Sequence, residues 1–200
     1  MQVILWTLIG YLVGSIPFSL LLGRLIAKKD IRTVGDGNPG GANALKAGGI
    51  KAGVPAILLD IGKGFLPVFL AQRFGVSAWG LVPVAMAPIL GHAFPLFMGF
   101  RGGKALGATA GVWLALIGVT AFLVFAVLAV PFTIFQTNDA WSANAGMFSL
   151  LGYTVFVGDV WLLVIAALNC GLIIWTHRHN LKRYPHARTW LINLLSRRGA

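Results

Sequence analysis

Five long stretches of this chain, 3–26, 54–71, 78–98, 105–135 and 145–176, are almost wholly apolar, and that restricts its fold more than any other feature. A helix needs about 20 such residues to cross the hydrocarbon core of a bilayer. Only 10% of the residues are charged and 58% are hydrophobic, against about 25% charged in a typical soluble domain. The fold class that follows is all-α, a polytopic membrane helical bundle. One bundle uses up the apolar material, so residues 1–200 are expected to form a single transmembrane domain. The first stretch is too long for the apolar core of a secretory signal and lacks a basic segment before it, so it is expected to be a retained span.

The last two stretches are too long for one crossing each. At 1.5 Å per residue each would run about 45 Å, against a hydrocarbon core of about 30 Å. Asp159 would lie near the middle of the second, where an unpaired carboxylate costs roughly 2.5–3.5 kcal/mol on insertion scales. A surface turn at Gly158-Asp159 removes that cost. For the C-terminus to keep its side, 105–135 must break as well, at Gly118-Val119-Thr120. The expectation is therefore about seven transmembrane helices, with the N-terminus outside and the C-terminus cytoplasmic. In that arrangement Lys28, Lys29, Arg32, Lys46, Lys51, Arg101, Lys104 and the basic tail from Arg178 to Arg198 fall inside, and only Arg73 lies clearly outside. Cations concentrate on the cytoplasmic side of membrane proteins. The net charge of +11 therefore marks topology here, and nucleic acid is not an expected partner.

Three polar segments could carry chemistry. The connection after the first stretch, Asp30 to Gly49, contains Gly35-Asp36-Gly37-Asn38-Pro39-Gly40-Gly41-Ala42-Asn43, followed by Lys46. Glycines let backbone N–H groups converge on an anion, and Asn38, Asn43 and Lys46 add donors and charge, so phosphate is the natural guest. A plain flexible connector is the competing reading. The spacing also matches G-x-G-x-x-G, but no βαβ unit fits between two membrane spans, which removes the dinucleotide reading. At the end of the third stretch, His92 precedes Arg101-Gly102-Gly103-Lys104. Cations beside paired glycines suit a phosphate, while a histidine at a helix end also serves as a packing residue and boundary cations as topology markers. Met98 sits where a Walker A loop requires glycine. The last stretch exits through His177, Arg178, His179 and Asn180, which taken alone is a stop-transfer cluster.

Asp60 and Lys63 lie three residues apart on one face of the second helix, and each would be costly alone in hydrocarbon. A structural ion pair is the favoured role. Cys170 is the only cysteine, so no intrachain disulfide or cysteine-based zinc site is possible, and an apolar helix makes it a poor nucleophile. No histidine–carboxylate cluster suggests a metal. None of the four histidines has an aspartate five residues on, which excludes the His-x-x-x-x-Asp arrangement of many glycerol-lipid acyltransferases.

In order along the chain, Gly14-Ser-Ile-Pro-Phe18, Asp30-Ile-Arg, the Gly-x-Gly-Asn-Pro-Gly-x-x-Asn turn, Asp60-x-x-Lys-Gly64, Gly91-His-x-Phe-Pro95 with Gly102-Gly-Lys104, and His177-Arg-x-Asn180 resemble the bacterial acyl-phosphate:glycerol-3-phosphate acyltransferases, the PlsY family. The resemblance implies a seven-helix enzyme of the bacterial plasma membrane, active on its cytoplasmic face in phospholipid biosynthesis. Such an enzyme transfers a fatty acyl group from acyl phosphate to the 1-hydroxyl of glycerol 3-phosphate, giving lysophosphatidic acid, and no cofactor is implied. Its partners would be the two substrates and the membrane lipids. The resemblance gives catalytic roles to His177, Asn180 and Lys104, and substrate-binding roles to Gly37, Asn38, Asn43, Lys46, His92, Gly102, Gly103 and Ser142. Ser142 is expected in a cytoplasmic loop spanning 136–144.

This chain departs from the family pattern at several points. Asp36 stands where the family usually has serine, Ala42 where it has threonine and Lys46 where it has arginine, while Ala187 and Thr189 replace a glycine and a glutamate. A carboxylate beside a phosphate site is unfavourable, and lysine lacks the bidentate fork of arginine. Two alternatives stand beside the enzyme: a weak or inactive paralogue that binds lipid precursors, and a small anion transporter. Polar residues gathered on one face argue against transport.

Overall fold

The computed structural model describes residues 1–191, so Arg197 and Arg198 of the basic tail lie outside the described residues. Eight α-helices are found among the described residues: α1 (Gln2–Gly14), α2 (Phe18–Ile26), α3 (Gly41–Arg73), α4 (Leu81–Ala93), α5 (Leu106–Ile117), α6 (Thr120–Phe135), α7 (Asp139–Val157) and α8 (Val160–Leu181). The only β-type pairing described is an isolated bridge between Gln136 and Ala187. Among the described residues, four helical segments are long and apolar enough to cross a membrane: Gln2–Ile26, Gly41–Arg73, Ala78–Met98 and Val160–Leu181. The chain divides into two compact units, Met1–Ala121 and Phe122–Ala200.

Both expected breaks fall where the sequence puts them. Gly118 has φ +66° between α5 and α6, and Gly158 has φ +83° ahead of Asp159, which is exposed. Left-handed backbone of this kind suits glycine and ends a helix.

The first stretch is not one straight helix. It breaks at Ser15–Pro17, because proline supplies no N–H and holds the preceding residue away from helical backbone. The break leaves the Ile16 carbonyl without a helical donor, and Lys63 Nζ donates to it at 2.9 Å.

The glycine-rich connection also differs from a simple loop. Residues 41–47 are helical, and Gly48 and Gly49 depart from helical backbone, Gly49 with φ +62°, before the helix resumes. The short piece folds back on the long one: a Cβ on Gly53 would strike Leu45, and one on Gly41 would strike Ile57. Asn43 and Lys46 therefore sit on a short helix rather than in the turn itself.

In the first unit α3 packs on α5, α1 on α4, and α2 on α3. The α3–α5 contact needs small residues, since a Cβ on Gly111 would overlap the Ile61 carbonyl and one on Gly64 the Ala108 carbonyl. Close approach through small residues is the usual way membrane helices pack, because lipid provides no hydrophobic drive between them. In the second unit α7 packs on α8.

Ser142 requires a correction. The expected loop at 136–144 is in fact three residues, 136–138, and Ser142 lies in the first turns of α7, only 6% exposed. Asn138 caps α7 by accepting from the Ala140 N–H at 3.1 Å, which starts the helix earlier than its polar composition suggests.

Candidate functional site

The turn between α2 and α3 is anchored at both ends. Asp30 caps a 3₁₀ turn, Ile31–Thr33, and its carboxylate takes Arg32 at 2.6 Å and Arg24 at 3.1 Å. Hydrogen bonds from the Arg32 side chain and backbone hold the Asp30 carboxyl well below the usual carboxylate range. Ile31 is fully buried against Leu20, Ala44 and Ala56. The segment from Gly35 to Asn43 is thus held over the start of α3.

Within that segment the donors converge on Asp36. Lys104 Nζ donates to Oδ2 at 2.6 Å, and Asn43 Nδ2 and the Asn38 backbone N–H donate to Oδ1 at 2.9 and 3.2 Å. Asn43 is 2% exposed and also donates to the Asn38 carbonyl at 2.9 Å. Partial burial pushes the Asp36 carboxyl up, but the Lys104 hydrogen bond and charge outweigh it and bring it down to about 2. Lys46 Nζ lies beside Gly35, at the same turn. Of the residues singled out in the sequence, Asn38, Asn43, Lys46 and Lys104 are therefore gathered here, with Gly37 at φ +76° closing the turn. Asp36 pairs with Lys104, sixty-eight residues away, and not with a cation of its own loop.

Lys104 is brought to the turn by the segment after α4. Gly102 N–H donates to the Ala93 carbonyl at 3.1 Å and Gly103 N–H to the His92 carbonyl at 3.0 Å, folding 99–104 back on the end of α4. A Cβ at Gly103 would collide with the His92 ring, and one at Gly102 with the His92 carbonyl. Packing on His92 therefore requires both glycines.

Beneath lies a buried polar cluster. Asp60 and Lys63 pair at 2.8 Å, Ser19 Oγ donates to Asp60 Oδ2 at 2.5 Å, and His92 Nδ1 is 3.7 Å from Asp60 Oδ1. All four residues are buried. With Gly14–Pro17, Pro39, Gly102 and Gly103, three of them, Asp60, Lys63 and His92, line a narrow cleft. The expected structural pair is present, and Ser19 is a member that charge-based reading passed over.

The second unit holds the remaining residues. His177 is 2% exposed, and its Nδ1 is 2.9 Å from the Ile173 carbonyl and 3.2 Å from Thr176 Oγ1. A carbonyl only accepts, so Nδ1 carries the proton. Asn138 Nδ2 donates to the Asn180 carbonyl at 3.0 Å and the Arg183 carbonyl at 2.7 Å, while Gln136 Nε2 donates to Ser142 Oγ at 2.8 Å. Asn138 therefore caps the start of α7 and the end of α8 with one side chain. Sequence reading missed it, although Asn-Asp ahead of a long helix is an N-cap signature.

These features define an all-helical integral membrane protein with a cation- and amide-lined turn that grips a carboxylate. The family model described as glycerol-3-phosphate acyltransferase matches residues 4–187. A glycerol-3-phosphate acyltransferase of Maridesulfovibrio salexigens is 36% identical over 182 residues, 90% of this chain and 92% of the relative. One from Listeria monocytogenes is 40% identical over 189 residues, 91% of this chain and 92% of the relative. Among solved structures, PlsY (YgiH), an integral membrane glycerol 3-phosphate acyltransferase, matches in its glycerol 3-phosphate form with TM-score 0.80 at 32% identity, covering 97% of this chain and 99% of that one. Its lysophosphatidic acid form matches with TM-score 0.78 at 32% identity, covering 92% and 91%. The chain belongs to the glycerol-3-phosphate acyltransferase family.

Proposed function

We propose that this chain is a membrane acyltransferase that moves a fatty acyl group from acyl phosphate to the 1-hydroxyl of glycerol 3-phosphate, forming lysophosphatidic acid and inorganic phosphate. One observation carries the reading: the turn grips an anionic oxygen with Lys104, Asn43 and a backbone N–H, in a chain whose relatives include glycerol 3-phosphate and lysophosphatidic acid forms. In this reading residues 1–200 make up a single transmembrane acyltransferase domain.

The chemistry asks little of the protein. The hydroxyl oxygen attacks the acyl carbonyl carbon, the bond from that carbon to the bridging oxygen breaks, and phosphate leaves with the electron pair. The departing phosphate takes the hydroxyl proton, so no strong protein base is needed, and rate comes from positioning and charge stabilisation. Gly37, Asn38, Asn43, Lys46 and Lys104 hold the phosphate of glycerol 3-phosphate. His92, Gly102 and Gly103 shape the cleft beside Lys104. His177, together with Asn180 and Ser142, orients the attacking hydroxyl or the acyl phosphate.

Purified protein given labelled glycerol 3-phosphate should form lysophosphatidic acid with acyl phosphate and none with acyl-CoA. Equal product from acyl-CoA would overturn the donor assignment.

The proposed setting is the bacterial plasma membrane, crossed seven times, with the N-terminus outside, the C-terminus cytoplasmic and the active site on the cytoplasmic face. Thr137 and Asp159 are exposed, whereas Ser142 is too buried for the purpose. Single cysteines at 137 and 159 in a Cys170→Ala background should differ in intact cells. An impermeant thiol reagent is expected to label position 159 and spare 137, and the reverse pattern would contradict the seven-span orientation.

A further inference from the structure

We infer that Asp36 is the internal counter-ion of the anion site, occupying the place of a substrate phosphate oxygen and exchanged for it on binding. The inference rests on assigning this turn as the glycerol 3-phosphate site, and it concerns what fills that site before substrate arrives.

Three donors of different kinds meet on one carboxylate: the Lys104 ammonium at 2.6 Å, the Asn43 amide at 2.9 Å and the Asn38 backbone N–H at 3.2 Å. An ammonium, a fixed amide and a backbone N–H are the set that holds a phosphate. Asn43 is a fixed donor, being 2% exposed and tied to the Asn38 carbonyl. Gly35 and Gly37, at φ +62° and +76°, turn the backbone on either side of Asp36, and a Cβ at Gly35 would collide with Asn43 Oδ1. The turn is thereby shaped around the carboxylate.

The same contact is open to exchange. The Asp36 side chain is 39% exposed and that of Lys104 22%, and ion pairs with this much solvent are weakly held. A phosphate dianion brings two charges and more acceptor oxygens to the same donors. Binding is then a swap of one anion for another, and apparent affinity is reduced by the fraction of time that Asp36 holds the site. Because the Asp36 carboxyl is brought down to about 2 despite its partial burial, it stays ionised near neutral pH, and any pH dependence of the exchange comes from ionisation of the phosphate and not from Asp36.

The test is calorimetric titration of the purified full chain with inorganic phosphate and, separately, with glycerol 3-phosphate. Asp36→Asn keeps an acceptor oxygen for Asn43 and Asn38 and replaces the charged oxygen that Lys104 grips with an uncharged amide nitrogen. It should bind both ligands at least fivefold more tightly than the wild type. Asp36→Ser, with no carbonyl-type acceptor, should also bind more tightly, which guards against a folding defect specific to the first variant. Equal or weaker binding in both variants overturns the inference, since Asp36 would then order the turn and not compete for it. Tighter phosphate binding in a protein that never turns over substrate would sustain the inference while the acyltransferase reading fell.

Discussion

Lys104→Ala is expected to raise the half-saturating concentration of glycerol 3-phosphate by roughly 10- to 150-fold. A charge-assisted hydrogen bond to phosphate contributes about 1.5–3 kcal/mol, and each 1.4 kcal/mol is a factor of ten. The structure points to the upper part of that range. Lys104 meets Asp36 at 2.6 Å, so its loss removes a cation from the substrate and leaves an unneutralised carboxylate in the turn. Steady-state kinetics of the purified variant over a wide range of glycerol 3-phosphate would measure this. An unchanged half-saturation and rate would remove Lys104 from the site.

A second large effect is expected on stability. Asp60→Asn should markedly reduce the folded fraction in detergent, because it leaves the Lys63 ammonium buried without a counter-charge, on neutral acceptors such as the Ile16 carbonyl at 2.9 Å. Breaking a buried pair by removing one partner costs about 3–5 kcal/mol, whereas replacing both partners is far milder. Asp60→Asn combined with Lys63→Met should therefore regain much of the loss in a thermal melt. If Asp60→Asn melts like the wild type, the pair is not what holds the broken first span to α3. The double change also separates roles, since a folded but slow double variant would assign the cluster to the chemistry of the cleft above it.

Long apolar runs and the cost of Asp159 in hydrocarbon were enough to place the helix breaks at Gly118 and Gly158, because burial of charge and limits on length are local properties of sequence. The break at Ser15–Pro17 was equally visible in Pro17, but apolar residues continue on both sides and mask it. What gives it meaning, the Lys63 ammonium on the Ile16 carbonyl, is a contact across 47 residues that no window can show.

The candidate site was legible as a set of residue types and not as a set of partners. Asn38, Asn43, Lys46 and Lys104 could be named from glycine and charge patterning, yet the pairing of Asp36 with Lys104 depends on how 99–104 folds back on α4. Ser142 was misplaced because the polar run 136–144 resembles a loop. Asn138 capping and a buried helix face turn most of that run into the start of α7. Gly102 and Gly103 read as a phosphate approach, while the structure adds a packing requirement against His92.

An acyl phosphate can react at carbon or at phosphorus, so the measurement that most directly tests acyl transfer follows the bridging oxygen. Purified protein would be given glycerol 3-phosphate and acyl phosphate carrying oxygen-18 at that bridge, and the products weighed by mass spectrometry. Attack on the acyl carbon predicts lysophosphatidic acid without the label and one labelled inorganic phosphate for each acyl group transferred. Label retained in free fatty acid, with a second phosphate on the glycerol, would mean phosphoryl transfer and would contradict the account.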